Sequence, residues 1–345
     1  MITETINGKK YRLPGSLTAF QKSMYIHLID YKWEQLGINE PGIYRYKGED
    51  ILYDAILPKA VHKRFPIIYP SILTVLLNHQ KKFPFKLHKH FNHMASSQVA
   101  NVNLFLPLLF SPKKDEIFRQ LKPDFKRLET VELDNGFQIE YWDGVGNEKG
   151  LLGDHNARSG TDSDIAIAYR NNNDELCLWL IEHKLTEKEF TTCGGTKSPK
   201  RDKSCHKCNV SFNQLISNKN LCYYHDVKQN NYWNITEKHQ AFFSNHIQYE
   251  KCPFKGGMNQ LWRNQLLGLG LEDEGRFKHV YFSVVHHPDN KALNASINEY
   301  KALVNNNPKF SVFTSNDVVQ IAKKQNDESI KDWMKWYVEL YKLTF

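Results

Sequence analysis

Along the chain, apolar residues recur at helical spacing in some stretches and run unbroken or in alternation in others, and the change of period marks out the elements. Residues 16–36 carry Leu17, Phe20, Met24, Ile26, Leu28, Ile29 and Trp33 near helical spacing, with Gly37 as a stop. Residues 70–79 open on proline and continue in leucines, which predicts a second helix. Between them, residues 44–53 and the Phe65-Pro66 region read as irregular, so residues 1–125 are expected to be mostly helical. Residues 96–109 predict an amphipathic helix with serine as its cap and Val99, Val102, Phe105 and Leu106 as its buried stripe. Its amides Gln98, Asn101 and Asn103 then fall to the surface.

The period changes to two further on. Val131–Leu133 and Phe137–Tyr141 predict a strand pair joined by the Asp134-Asn135-Gly136 turn. Ile165–Tyr169 alternates larger and smaller apolar residues, Asn171–Asp174 is turn chemistry, and Leu176–Ile181 is continuously apolar, as a strand in a sheet interior should be. A helix follows over residues 258–268, with Met258, Leu261, Trp262, Leu266 and Leu267 toward the sheet and Gln260, Arg263 and Asn264 on another side. His279–Pro288 reads as one more interior strand, and its closing His286 and His287 as solvated strand-end residues. The chain finishes in helices. The predicted fold class is α/β, a mixed central sheet flanked by helices. The expected divisions are a helical region over 1–125, a core over 126–290 and C-terminal helices over 291–345 packing on the core.

Chemistry gathers where the Leu176–Ile181 strand ends. Glu182 and Lys184 share a face of that strand while His183 points the other way. With Asp164 at the facing end of the neighbouring strand, two carboxylates and an ammonium converge, a set that suits a divalent cation such as Mg²⁺ or Mn²⁺ activating water at a phosphodiester. Glu140 and Asp154 compete as a further acid, and an ordinary exposed carboxylate is the plainer reading of each.

Asp164 followed by Glu182-His183-Lys184 closing an apolar strand resembles the core motif of the PD-(D/E)XK, restriction-endonuclease-like nucleases, with Ser163 where that motif has proline. The Ser96-Ser97-Gln98 helix start, the Leu151-Leu152-Gly153 stretch and the Gln260-x-x-Arg263 helix together resemble one uncharacterised branch of that superfamily, over roughly residues 90–290. The resemblance implies a restriction-endonuclease-like sheet, metal ligation by Asp164 and Glu182, and Lys184 positioning or activating the attacking water. It also implies that Gln260 and Arg263 line the site, that an upstream acid such as Glu140 often joins it, and that Gln98 faces nucleic acid.

Residues 190–255 form an insertion holding Cys193, Cys205, Cys208, Cys222 and Cys252, whereas Cys177 belongs to an apolar strand as a buried hydrophobe. Cys205-His206-Lys207-Cys208 is a CxxC knuckle in a Gly/Lys/Ser/Asn-rich setting with little capacity to fold unaided. Four of those thiolates around Zn²⁺ would staple it, with His206 or His225 able to replace one. A 4Fe-4S cluster uses the same ligands, and no metal at all is the remaining reading. Lys197, Lys200, Arg201 and Lys203 on the insertion, and the basic aromatic stretch over residues 80–91, are candidate nucleic-acid contacts or simply solvated charge.

Composition changes the picture only slightly. The chain has 345 residues, 41% of them hydrophobic, enough for a substantial core, and its formal charge of +8 is compatible with a polyanionic partner. No apolar run approaches the ~20 residues that span a bilayer and no leader is evident, so a cytoplasmic protein without membrane contact is expected. The absence of a G-x-x-x-x-G-K-[ST] loop argues against ATP dependence, and the absence of Gly-x-Ser-x-Gly against a serine hydrolase. The expected function is Mg²⁺-dependent hydrolysis of phosphodiesters in DNA. The alternative is a non-catalytic nucleic-acid-binding protein that works through the cysteine-pinned insertion. Oligomeric state, a homodimer included, stays open.

Overall fold

A computed structural model describes residues 2–88, 90–144, 148–156 and 159–344. Lys89 of the basic aromatic stretch lies outside the described residues. The N-terminal region begins with the hairpin β1 (Ile2–Ile6) and β2 (Lys9–Leu13), then α1 (Ala19–Glu34), then a second hairpin, β3 (Gly42–Tyr46) and β4 (Glu49–Tyr53). The expectation that residues 44–53 are irregular is corrected here, since they form this second hairpin. Asn7-Gly8 and Lys47-Gly48 take positive φ at the two tips, the conformation a tight hairpin turn requires. Three helices follow, α2 (Leu73–Lys82), α3 (Ser97–Leu109) and α4 (Lys114–Leu121).

The central sheet is 6-stranded and mixed. Its strands are β5 (Phe125–Leu128), β6 (Phe137–Tyr141), β7 (Ser163–Asn171), β8 (Leu176–Lys184), β9 (His279–His286) and β10 (Phe310–Thr314). They run in the order β10-β9-β8-β7-β5, with β6 also on β7. β7 and β8 form the expected antiparallel hairpin, whereas β9 lies parallel to β8 and β10 parallel to β9. The predicted pairing of residues 131–133 with β6 does not form. Val131 is 91% exposed and Glu132 is held by Arg276, while β6 pairs along the apolar edge of β7, Phe137 opposite Ile167 and Ile139 opposite Ile165.

Residues 190–255 contain the short helices α5 (Phe212–Ser217), α6 (Tyr223–Asp226) and α7 (Tyr232–Lys238), followed by α8 (Met258–Asp273). The chain closes with α9 (Asn294–Leu303), α10 (Ser315–Lys324) and α11 (Lys331–Leu340), with β10 between α9 and α10.

Alternation along β7 and β8 divides the interior. Ile165, Ile167, Tyr169, Cys177, Trp179 and Ile181 pack with α1, α2, α3, α10 and α11. Ala166, Ala168, Leu178 and Leu180 pack with α8, α9 and the insertion on the opposite face. The insertion brings its own apolar residues to that second core. Phe254 stacks on Trp262 at 4.1 Å, Trp233 lies 5.1 Å from the same indole, and Phe212 lies 5.6 Å from Trp233. Counting its polar residues underrated these aromatics, which bury large areas each and anchor the segment to α8.

α3 is buried along its whole length rather than on one stripe. Its amides are interior crosslinks: Asn103 donates to the Ile67 carbonyl at 2.8 Å and Asn101 to the Asp164 carbonyl at 3.0 Å. Likewise His286 and His287 are buried, and a ring nitrogen of His287 lies 2.9 Å from the Tyr341 carbonyl. Among the described residues no helix is long and apolar enough to cross a membrane.

Candidate active site

The division of faces places the chemistry. Asp164, Glu182 and Lys184 follow the even-numbered positions of β7 and β8, so all three side chains emerge toward α8, and His183 is buried toward α3. Ile165 pairs with Ile181, which sets Asp164 beside Glu182 across the hairpin. The Asp164 carboxylate accepts the His183 amide at 2.6 Å, fixing it to β8.

Glu182 is 3% exposed, and both of its carboxylate oxygens accept hydrogen bonds. One carboxylate oxygen accepts Lys184 Nζ at 2.6 Å and Gln260 Nε2 at 2.7 Å, and the other accepts Asn264 Nδ2 at 2.8 Å. Both amides come from successive turns of α8, at the i, i+4 spacing that puts side chains on one helix face. Burial pulls the Lys184 pKa down, but the carboxylates of Glu182, Glu187 and Asp164 outweigh it and hold the ammonium above its ordinary value. Burial, reinforced by Glu182 and Glu140, raises the Asp164 pKa well above the usual carboxylate range.

Glu140 joins them through a break in β6. Its φ of 50° interrupts the strand's alternation, so that Phe137 and Ile139 lie in one core and Tyr141 in the other. Burial pushes its pKa up to about 8, with Asp162 and Glu182 adding to the shift and the Gln98 hydrogen bond opposing it. Gln98 itself is 5% exposed. Its amide donates to Glu140 at 2.7 Å and its carbonyl oxygen accepts the His88 amide at 2.9 Å. Sequence reasoning set it toward nucleic acid; the fold turns it inward, onto the acid.

Asp154 is enclosed as well. It accepts the Tyr232 hydroxyl at 2.7 Å and the Thr161 hydroxyl, and lies 3.8 Å from Arg263. Arg263 donates to Thr161 at 2.8 Å and to Asn259 at 3.1 Å, so it braces the segment leading into β7 against α8. Neither acid is the exposed carboxylate of the plainer reading. Asn264 and Thr161 are the partners that residue-by-residue reading did not assign a role, and only the α8 face that carries Gln260 hinted at the first.

Of these groups, Glu140, Asp154, Asp164, Glu182, Gln260 and Arg263 line a polar cleft of about 710 Å³, while Lys184, Gln98, Asn264 and Thr161 stand behind them and are not among its lining residues. Lys149 and Lys228 stand on its wall, two cations the sequence did not single out. Lys197, Lys200 and Lys203 are exposed on the insertion and are not among the residues lining the cleft. Arg201 is used within the insertion, donating to the carbonyls of Thr196 and His206.

The cysteines separate. Cys193, Cys208, Cys222 and Cys252 line one small cavity of about 20 Å³, and Cys205 is exposed beside Asp202. Burial raises the thiol pKa values of Cys193, Cys222 and Cys252. His206 is committed to Asp226 at 3.0 Å. Among the described residues, no three histidine, cysteine, aspartate or glutamate side chains close around a single metal position.

A family model described as restriction endonuclease associating with ARP matches residues 26–342. No curated protein and no solved structure gives a match.

Proposed function

The chain belongs to this family of restriction endonucleases associating with ARP, and from that premise we propose that it is a PD-(D/E)XK nuclease hydrolysing phosphodiester bonds in DNA. The observation that carries the reading is the buried Glu182 carboxylate, tied to Lys184, Gln260 and Asn264 and set beside Asp164.

The donor set fits Mg²⁺. This ion keeps several waters and takes one or two protein carboxylates, so Asp164 and Glu182 suffice without a third group closing around it, and Glu140 stands nearby. Acids that raise one another's pKa in a shared buried site are also acids that a cation would relieve. When bound there, Mg²⁺ would supply an activated water and neutralise charge on the phosphate. Lys184, held in its charged form, acts as a hydrogen-bond donor rather than a base, and its part is to hold the water and the developing charge. Gln260 and Asn264 fix the rotamer of Glu182, Gln98 fixes Glu140, and Arg263 positions the cleft wall. Lys149 and Lys228 would meet the DNA backbone first, and Lys197, Lys200 and Lys203 would extend that positive track over the insertion.

For the insertion, the thiols of Cys193, Cys208, Cys222 and Cys252 are the set with the right chemistry for Zn²⁺, since they alone share a cavity. The aromatic contacts to Trp262 hold the same segment independently.

Incubating plasmid, linear duplex and single-stranded DNA with the protein in Mg²⁺, Mn²⁺ or EDTA tests the proposal. Cleavage should require the divalent ion. Glu182→Gln and Lys184→Ala should each lower the rate by about 10²-fold or more, the scale for losing one group that stabilises a transition state, while circular dichroism stays unchanged. Full activity in both variants would sink the assignment. Salt-sensitive DNA binding with no cleavage under any ion would instead favour a binding protein.

A further inference from the structure

A second cavity, of about 410 Å³, lies beside the cleft. Tyr44 of β3 and Tyr53 of β4 face it from the hairpin, Tyr25 from α1, and His90 and His93 from the segment before α3. Thr186 and Glu187 also line it, and they follow Lys184 directly in the chain. His88 lines both this cavity and the polar cleft, so the two spaces are neighbours that share one wall.

The lining is aromatic and flat. Tyr44 and His90 lie 5.6 Å apart at 30°, Tyr53 meets Tyr44 edge-on at 5.7 Å, and Tyr25 meets His93 edge-on at 5.2 Å. Burial drives the His93 pKa down to about 3, so its ring is neutral at physiological pH. The polar groups of the wall carry no fixed charge apart from one acid: Ser96, Ser97, the tyrosine hydroxyls, of which that of Tyr25 is bonded to Thr186, and the histidine rings stand beside the Glu187 carboxylate, which accepts the Leu185 amide at 2.8 Å. No lysine or arginine is among the described lining residues, and Glu187 would repel a phosphate. The volume falls in the range of small-molecule sites, where apolar and aromatic walls surround a few placed polar groups. A planar heterocycle with hydrogen-bonding edges suits these walls; an anion does not.

We propose that this cavity is a nucleobase subsite, which stacks one base of the strand whose phosphodiester lies over Asp164 and Glu182. The inference rests on the nuclease reading for its substrate, and it adds to the carboxylates of the cleft a neighbouring aromatic surface that reads a base. Tyr44 and Tyr53 sit on a hairpin outside the central sheet, where side chains can change without disturbing Asp164 or Glu182.

The test compares binding of a short single-stranded oligonucleotide with that of an abasic strand of the same length, which keeps every phosphate. Anisotropy of the full chain is read in Ca²⁺, which is chosen to limit cleavage. The wild type should bind the base-bearing strand about tenfold or more tightly, as one stacked base is worth on the order of 1–3 kcal/mol. Tyr44→Ala and Tyr53→Ala should bring that ratio close to one, and Ile43→Ala, on an exposed position of the same hairpin, should not. Should either tyrosine change unfold the hairpin, His90→Ala tests the same wall from another segment. Equal binding of both strands by the wild type, or an undiminished ratio in the tyrosine variants, overturns the subsite. Mg²⁺-dependent plasmid cleavage separates the two readings. Cleavage without base-dependent binding leaves the nuclease and removes the subsite, and base-dependent, Tyr44-dependent binding without cleavage does the reverse.

Discussion

Glu140 shows how a single residue couples the site to pH. Its carboxyl is raised to about 8, above the ordinary value near 4.5, chiefly by burial. Between those two values the folded protein keeps a proton that the unfolded chain has released, so this group's contribution to stability falls as pH rises through the window. A divalent cation bound as we propose would displace that proton, and its stabilising effect would therefore grow over the same range. The expected result is a larger rise in Tm on adding millimolar Mg²⁺ at about pH 8.5 than at about pH 6. Glu140→Gln should shrink the difference between the two. Thermal unfolding with and without Mg²⁺ checks this; an effect of Mg²⁺ independent of pH would remove Glu140 from the metal's surroundings.

At the scale of elements, the insertion is joined to α8 by rings and, in our proposal, closed on itself by metal. Trp262 is 2% exposed and is shared by Phe254, Trp233 and Tyr232. Trp262→Ala should cost about 3–5 kcal/mol, the usual range for emptying a buried aromatic site, seen as a fall in the urea midpoint. Metal analysis addresses the cysteines: Zn²⁺ near one equivalent is expected in wild type and Cys205→Ser, and a loss in Cys208→Ser or Cys252→Ser. Visible absorption with bound iron would replace zinc by a cluster, and metal-free protein with fully titratable thiols would leave the rings as the sole staple. α3 carries the complementary lesson. Its amides looked like surface residues because their partners, the carbonyls of Ile67 and Asp164 and the carboxylate of Glu140, lie far away in sequence.

Across the whole molecule, buried histidines contribute to the response to acid. Burial lowers the pKa of His79 and His287 to about 4 and of His93 and His183 to about 3. Below the ordinary value of about 6.5 the unfolded chain takes up protons that the native protein refuses, so stability is complete above that pH and is lost as pH falls toward 4. His79 is the clearest contributor, since its Nε2 accepts the Ile139 amide while its ring stacks on Phe137 at 4.6 Å. Melting curves across this range should show Tm falling with pH, and His79→Gln, which keeps an acceptor but does not titrate, should flatten the slope.

The sequence by itself determined the parts that depend on local periodicity. The β7–β8 hairpin, the shared face of Glu182 and Lys184, and the helices α1, α3 and α8 all follow from spacing of apolar residues, because a strand's period of two and a helix's of 3.6 leave their mark on neighbouring positions. The Asn7-Gly8 and Lys47-Gly48 turns carry hairpin chemistry too, but the strands flanking them are five residues each and largely exposed, so they leave little apolar alternation in the sequence. What only the tertiary structure decided was pairing and enclosure. β6 lies on β7 instead of on residues 131–133, Gln98 and Asp154 turn inward, Asn264 reaches Glu182, and Cys205 parts from the other thiols. Each of these depends on groups brought together from distant parts of the chain, and no local pattern encodes which buried donor will find which acceptor once two cores close on the two faces of one sheet.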